Sequence, residues 1–197
     1  GDDAFSEDVT PVGTTLGTLT MTSGGTWTYV VDNDNETVQA LGVGQSIVEE
    51  FEVSSIDHTS PFNDTQIITV TINGTNDLPT VQVEANDISS DFVEMQGNDT
   101  KANAVLITDT LTIEDIDGDT IKSATVKITN FVSGEDELLF TDNILITGSF
   151  DETTGILTLS ATNQVDGIAK SYFEDALNSV KYNNTSNTPN EDTRVLE

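Results

Sequence analysis

The sequence predicts an all-β chain built as two tandem antiparallel β-sandwich domains, and three observations lead there. At 197 residues the chain exceeds a single sandwich of about 100 to 150 residues, so two modules, each with its own core, fit better than one. Apolar residues alternate with threonine at period two along several short segments, the pattern of half-buried strands. Clusters of Gly, Asn and Asp separate these segments, and strands punctuated by such turns argue for antiparallel sandwiches.

In the first half the alternation is carried by Thr18-Leu19-Thr20-Met21, Trp27-Thr28-Tyr29-Val30-Val31 and Ile68-Thr69-Val70-Thr71-Ile72. In the second half it returns in Leu111-Thr112-Ile113, Ala124-Thr125-Val126-Lys127-Ile128 and Ile156-Leu157-Thr158-Leu159. Only two stretches read as helical. Glu36 to Leu41 allows one turn, and Phe173, Ala176, Leu177 and Val180 recur at helical offsets. Each is expected to plug one end of a sandwich. Between the halves, Asn73-Gly74-Thr75-Asn76-Asp77-Leu78-Pro79-Thr80 combines strand breakers with polar side chains. The boundaries that follow are a first module over 1–77, a linker continuation over 78–81 and a second module over 82–197.

Charge is the strongest global feature. The chain has 35 acidic residues against 6 Lys and Arg, a formal net charge of -29. Before Pro79 there are 13 acids and no Lys or Arg, and after it 22 acids and 6 bases, so both modules are acidic. Such a field repels nucleic acid and anionic lipid and makes divalent cations the natural counter-ions. With 35% hydrophobic residues and 4 prolines, the composition lies on the folded side of the disorder boundary. The chain has no cysteine, which removes disulfides and thiolate metal sites. No apolar run approaches the roughly 20 residues that cross a bilayer as a helix, so no membrane insertion is expected. The chain begins without Met and reads as an internal piece of something longer.

Four motifs in order give the first half a resemblance to the VCBS-type repeats of large bacterial RTX-type adhesins: Gly17-Thr18-Leu19-Thr20, Gly25-Thr26-Trp27-Thr28-Tyr29, Val38-Gln39-Ala40-Leu41 and Thr69-Val70-Thr71-Ile72-Asn73-Gly74-Thr75-Asn76-Asp77. The second half resembles the bacterial cadherin-like modules of the same giant proteins. That likeness rests on Leu111-Thr112-Ile113-Glu114-Asp115-Ile116-Asp117-Gly118-Asp119, Ser123-Ala124-Thr125-Val126, Thr154-Gly155-Ile156-Leu157-Thr158-Leu159-Ser160 and Tyr172-Phe173-Glu174-Asp175-Ala176-Leu177. The resemblance implies Ig/cadherin-like sandwiches, truncated at both chain ends, with sheet edges left open to self-association. It also implies that Trp27 packs in a core.

Calcium takes six to eight oxygen ligands and therefore needs carboxylates and carbonyls converging from loops. Asn76 and Asp77 resemble a shortened cadherin linker motif, and Asp115, Asp117 and Asp119 resemble the acidic loop that faces it, which together imply one interdomain calcium site. Asp57 falls where a loop of the first module would approach that linker, although His58 follows it in place of the usual glycine. Glu94 resembles the acidic base residue of a cadherin-like module, which would serve a site shared with a following domain. An EF-hand is rejected for Asp115 to Asp119, because Gly118 is the fourth loop position and Val126 stands at the twelfth. Two further clusters, Asp32-Asn33-Asp34-Asn35-Glu36 and Glu135-Asp136-Glu137, are read as soluble turns and helix-start acids. Asn-x-Ser/Thr sequons begin at Asn35, Asn63, Asn73, Asn98, Asn183 and Asn184, and most are expected to be bare.

Catalytic inventory is poor, with one histidine, no nucleophile elbow and no phosphate-binding glycine loop, so no enzyme is expected. The leading expectation is a set of structural and adhesion modules of a large protein secreted to the bacterial cell surface. Their partners are neighbouring modules of the same long chain, and calcium stiffens the interdomain linker. Two alternatives are a module that binds a polysaccharide or cell-surface ligand, with Trp27 and Tyr29 as a stacking platform if both face outward, and a fibre subunit assembling by β-strand addition.

Overall fold

The structure, a computed structural model, describes residues 4–56, 64–84, 92–93, 103–118 and 120–197. Among these residues it is all-β with two short helices and small, open sheets. The chain divides into two compact units: Gly1–Leu78 with Ile116–Gly118, and Pro79–Asp115 with Asp119–Glu197.

The first unit contains β1 (Ala4–Phe5), β2 (Thr10–Pro11), β3 (Thr18–Met21), β4 (Trp27–Val30), helix α1 (Glu36–Gln39), β5 (Ser46–Ile56) and β6 (Thr65–Asn73). β5 is its spine: β6 runs antiparallel along one side, and β1 and β2 pair with the other. β3 and β4 form a separate hairpin with Leu19 opposite Tyr29 and Met21 opposite Trp27. Burial follows period two, as strand geometry requires. Leu19 and Met21 of β3 and Phe51 and Val53 of β5 are buried, each worth about 1.5 to 3 kcal/mol of apolar transfer. α1 begins where the acidic turn leads into it: the Asn35 side chain accepts from the Thr37 N–H at 2.9 Å and Glu36 occupies the first turn.

Trp27 departs from the expected core position. It remains 47% exposed, because it is the first residue of β4, beside the Thr22–Thr26 turn closed by backbone hydrogen bonds, where Met21 takes the buried place opposite it. Tyr29, two residues on, turns inward and meets Phe51 edge to face at 6.0 Å. The two rings therefore form no shared outward platform.

The second unit contains β7 (Thr80–Gln82), β8 (Val105–Leu106), β9 (Thr112–Glu114), β10 (Thr120–Ile121), β11 (Ser123–Lys127), β12 (Asp136–Leu139), β13 (Ile146–Asp151), β14 (Ile156–Ala161), β15 (Ile168–Ala169), helix α2 (Lys170–Leu177) and β16 (Lys181–Asn184). Its sheets run β11-β14-β13, β12-β16-β8, β7-β9 and β10-β15. The core is continuous and includes Val126, Leu138, Ile146, Leu157, Leu159 and Phe173, all buried. α2 has no side-chain N-cap, so packing holds it: Phe173, Ala176 and Leu177 enter the core. Hydrogen bonds then pin it to β9 and to the residue before it. Glu174 accepts from the Ile113 N–H at 2.7 Å, and Asn178 bonds both the N–H and the carbonyl of Leu111 at 2.9 and 3.0 Å.

Candidate functional site

In the first unit, β6 ends at Asn73 and Gly74 turns the chain toward Asp77. The Gly74 N–H donates to the Gln45 carbonyl at 3.0 Å. A Cβ at Gly74 would collide with the carbonyls of Leu41 and Gly42, so only glycine fits there. Past the turn, the Asp77 N–H donates to Oδ2 of Asp117 at 3.0 Å. The other oxygen of that carboxylate, Oδ1, is enclosed and has no hydrogen-bond partner among the described residues. Gly42 lies against the same residue, since a Cβ there would sit 3.0 Å from the Asp117 carbonyl. Asn76 is adjacent, its amide nitrogen donating to the Asp77 carbonyl. A polar cleft of about 130 Å³ lined by Asn33, Gln39, Thr75 and Asp77, among others, opens beside this turn.

Three of the expected ligand residues, Asn76, Asp77 and Asp117, are thus brought together in one unit. Asp115 belongs to the second unit, where it is half-buried directly after β9. Asp57, Glu94 and Asp119 lie outside the described residues. The donor chemistry at Asp77 and Asp117 is oxygen only and suits a hard cation. Among the described residues no group of three or more His, Cys, Asp or Glu side chains assembles into a metal cage.

Two buried carboxylates not foreseen as structural have different roles. Glu49 sits at an inward position of β5, 3% exposed. It accepts from the Tyr29 hydroxyl at 2.9 Å and from the N–H groups of Leu16 and Gly17. Burial, followed by this bond to Glu49, pushes the Tyr29 phenol up to about 12. In the second unit Asp136, read from sequence as part of a soluble turn, is buried at the start of β12. Its carboxylate accepts from the Val132 N–H, the Tyr182 hydroxyl and Nε of Arg194 at 2.8, 2.7 and 2.7 Å. The expectation failed because an acid flanked by acids looks solvated until a distant arginine and tyrosine are seen to converge on it. Burial and the Asp136 bond likewise push the Tyr182 phenol up to about 12. The neighbouring sequon residues Asn183 and Asn184 are each 3% exposed, which hides both from modification in the folded unit. Alternation in Ile47-Val48-Glu49-Glu50-Phe51-Glu52-Val53 was the available signal for β5, with Glu49 falling on the apolar side.

Compared with known proteins, the chain matches no family model, no curated protein and no solved structure. No described helix is long and apolar enough to cross a membrane.

Proposed function

We propose that this chain is a pair of tandem β-sandwich modules, VCBS-type and cadherin-like, from a large secreted bacterial surface protein. In this reading it has a mechanical rather than a catalytic role. Calcium stiffens the segment that leads out of the first module, with the Asp117 carboxylate, Asp77 and Asn76 supplying ligands. The observation that carries the reading is the Asp117 carboxylate, fixed through one oxygen by the Asp77 N–H while its second oxygen is enclosed without a hydrogen-bond partner among the described residues. An enclosed anionic oxygen is costly unless something neutralises it, and in a chain of net charge -29 with no Lys or Arg before Pro79 a cation is the available counter-charge. Further oxygens from backbone carbonyls and water would complete the six to eight that calcium takes.

Calcium supplies two positive charges that hold the carboxylates in one arrangement. It stabilises that arrangement only as far as it binds it better than the bent or unfolded chain. Sites of about 0.1 to 1 mM affinity fill outside the cell and empty inside it, which suits modules that travel loose and stiffen after export. The test is a calcium titration of the chelated chain, following thermal unfolding and the maximum dimension by small-angle scattering, with magnesium as the control. A higher melting temperature and a longer, stiffer particle with calcium alone are expected. No change in either, or the same change with magnesium, would remove Asp77 and Asp117 as calcium ligands.

A further inference from the structure

We infer that the chain forms a closed two-fold dimer in which β6 of one copy pairs antiparallel with β6 of a second. β6 hydrogen-bonds only β5 among the described strands. Two bonds fix which of its residues face away. At one end the Ser55 N–H donates to the Asp64 carbonyl at 2.9 Å, and at the other the Gly74 N–H donates to the Gln45 carbonyl at 3.0 Å. Antiparallel ladders alternate, so the even-numbered residues from Asp64 to Gly74 point their backbone groups at β5. Thr65, Ile67, Thr69, Thr71 and Asn73 point theirs outward, and among the described residues no backbone hydrogen bond reaches them from that side.

An edge this long and unpaired is a template for another strand. The charge of the chain selects the occupant. β6 carries no charged residue from Thr65 to Asn73, whereas β5 brings Glu49, Glu50 and Glu52. The uncharged β14 is already paired on both sides, and the other uncharged strands are short, none exceeding the 4 residues of β3 and β4. The strand of this molecule best suited to meet β6 without repulsion is therefore β6 itself.

Its register is self-complementary. With Thr69 opposite Thr69 of the second copy, Ile67 meets Thr71 and Thr65 meets Asn73, so every outward-facing residue finds an outward-facing partner. On the inner face the same register sets Ile68 against Val70. Both are only half-buried in the single copy and would join into one apolar strip. The contact is isologous and consumes the edge on both copies, so it closes at two and builds no fibre. The acidic rows on the two β5 strands would lie about 14 Å apart, three strand spacings, beyond the Debye length of roughly 8 Å at physiological salt.

Sedimentation velocity on the full chain across a concentration series, at low and physiological salt, tests this. A monomer–dimer equilibrium that strengthens with salt is expected. Thr69→Lys places two like charges opposite each other at the two-fold and should raise the dissociation constant by about tenfold or more. Within one copy the new lysine faces Glu50 across the β5–β6 ladder, so the unit should fold, which its melting curve checks. Val48→Lys adds the same charge on the same face of β5, 56% exposed and away from the edge, and should leave the dimer no weaker. A chain that stays monomeric up to millimolar concentration, growth past the dimer, or association that Thr69→Lys does not weaken would each overturn the inference.

Discussion

Arg194 donates from Nε to Oδ2 of Asp136 at 2.7 Å, and the Asp136 side chain is wholly buried. This contact ties the C-terminal segment to β12. The segment then meets the end of β11 through an isolated bridge, with Leu196 opposite Ile128 and Glu197 exchanging backbone hydrogen bonds with Lys127.

Arg194→Ala should therefore destabilise the second unit by about 3 kcal/mol, because it strands a buried carboxylate rather than merely removing a pair. Urea denaturation of the variant beside the parent reads this directly. A loss below about 0.5 kcal/mol would mean that Val132 and Tyr182 satisfy Asp136 unaided.

Tyr29→Phe removes the hydroxyl donor to Glu49 and should cost the first unit about 1.5 to 3 kcal/mol, as for hydrogen bonds to charged groups. Circular dichroism melts of the two proteins should separate, with the change confined to the transition of the first unit.

Alkaline pH acts through the same tyrosines. Both phenols lie at about 12 in the fold, above the ordinary value of about 10, so the folded state favours the protonated form. Their contribution is complete below pH about 10 and is lost as pH rises toward about 12. Tyrosinate absorbance should show Tyr29 and Tyr182 titrating late in the parent and the Tyr29 contribution lost in Tyr29→Phe; ordinary titration of these two phenols would contradict it.

Gly74→Ala should destabilise the first unit by about 1 to 3 kcal/mol through overpacking, since the added Cβ meets the carbonyls of Leu41 and Gly42 rather than a side chain that can swing aside. Thermal unfolding checks this, and a neutral result would show that the turn after β6 shifts freely.

Asp117→Asn should abolish the calcium-dependent part of the melting temperature while leaving the apo protein as stable or slightly more so, because it removes an enclosed charge. At calcium tenfold above the dissociation constant the parent gains about 1.4 kcal/mol by linkage. A variant that keeps this gain would place any bound calcium elsewhere.

Local pattern in the sequence determined the all-β class, the short helix after Asn35, the helix carrying Phe173 and Leu177, and the strands β3, β4, β6, β9, β11 and β14, because period two and period 3.6 are properties of neighbouring residues. It also put Asn76, Asp77 and Asp117 forward as candidates on motif alone. Tertiary structure decided what depends on residues far apart in the chain. It placed Glu49 beneath Tyr29 and Asp136 against Arg194, supplying each buried acid with partners far along the chain. It left Trp27 exposed beside the turn of its hairpin and set the Asp77 N–H against the Asp117 carboxylate. The physical reason is common to all of these. A charge or ring is buried or exposed according to which partners converge on it, and convergence is a product of strand pairing and loop closure rather than of spacing along the chain.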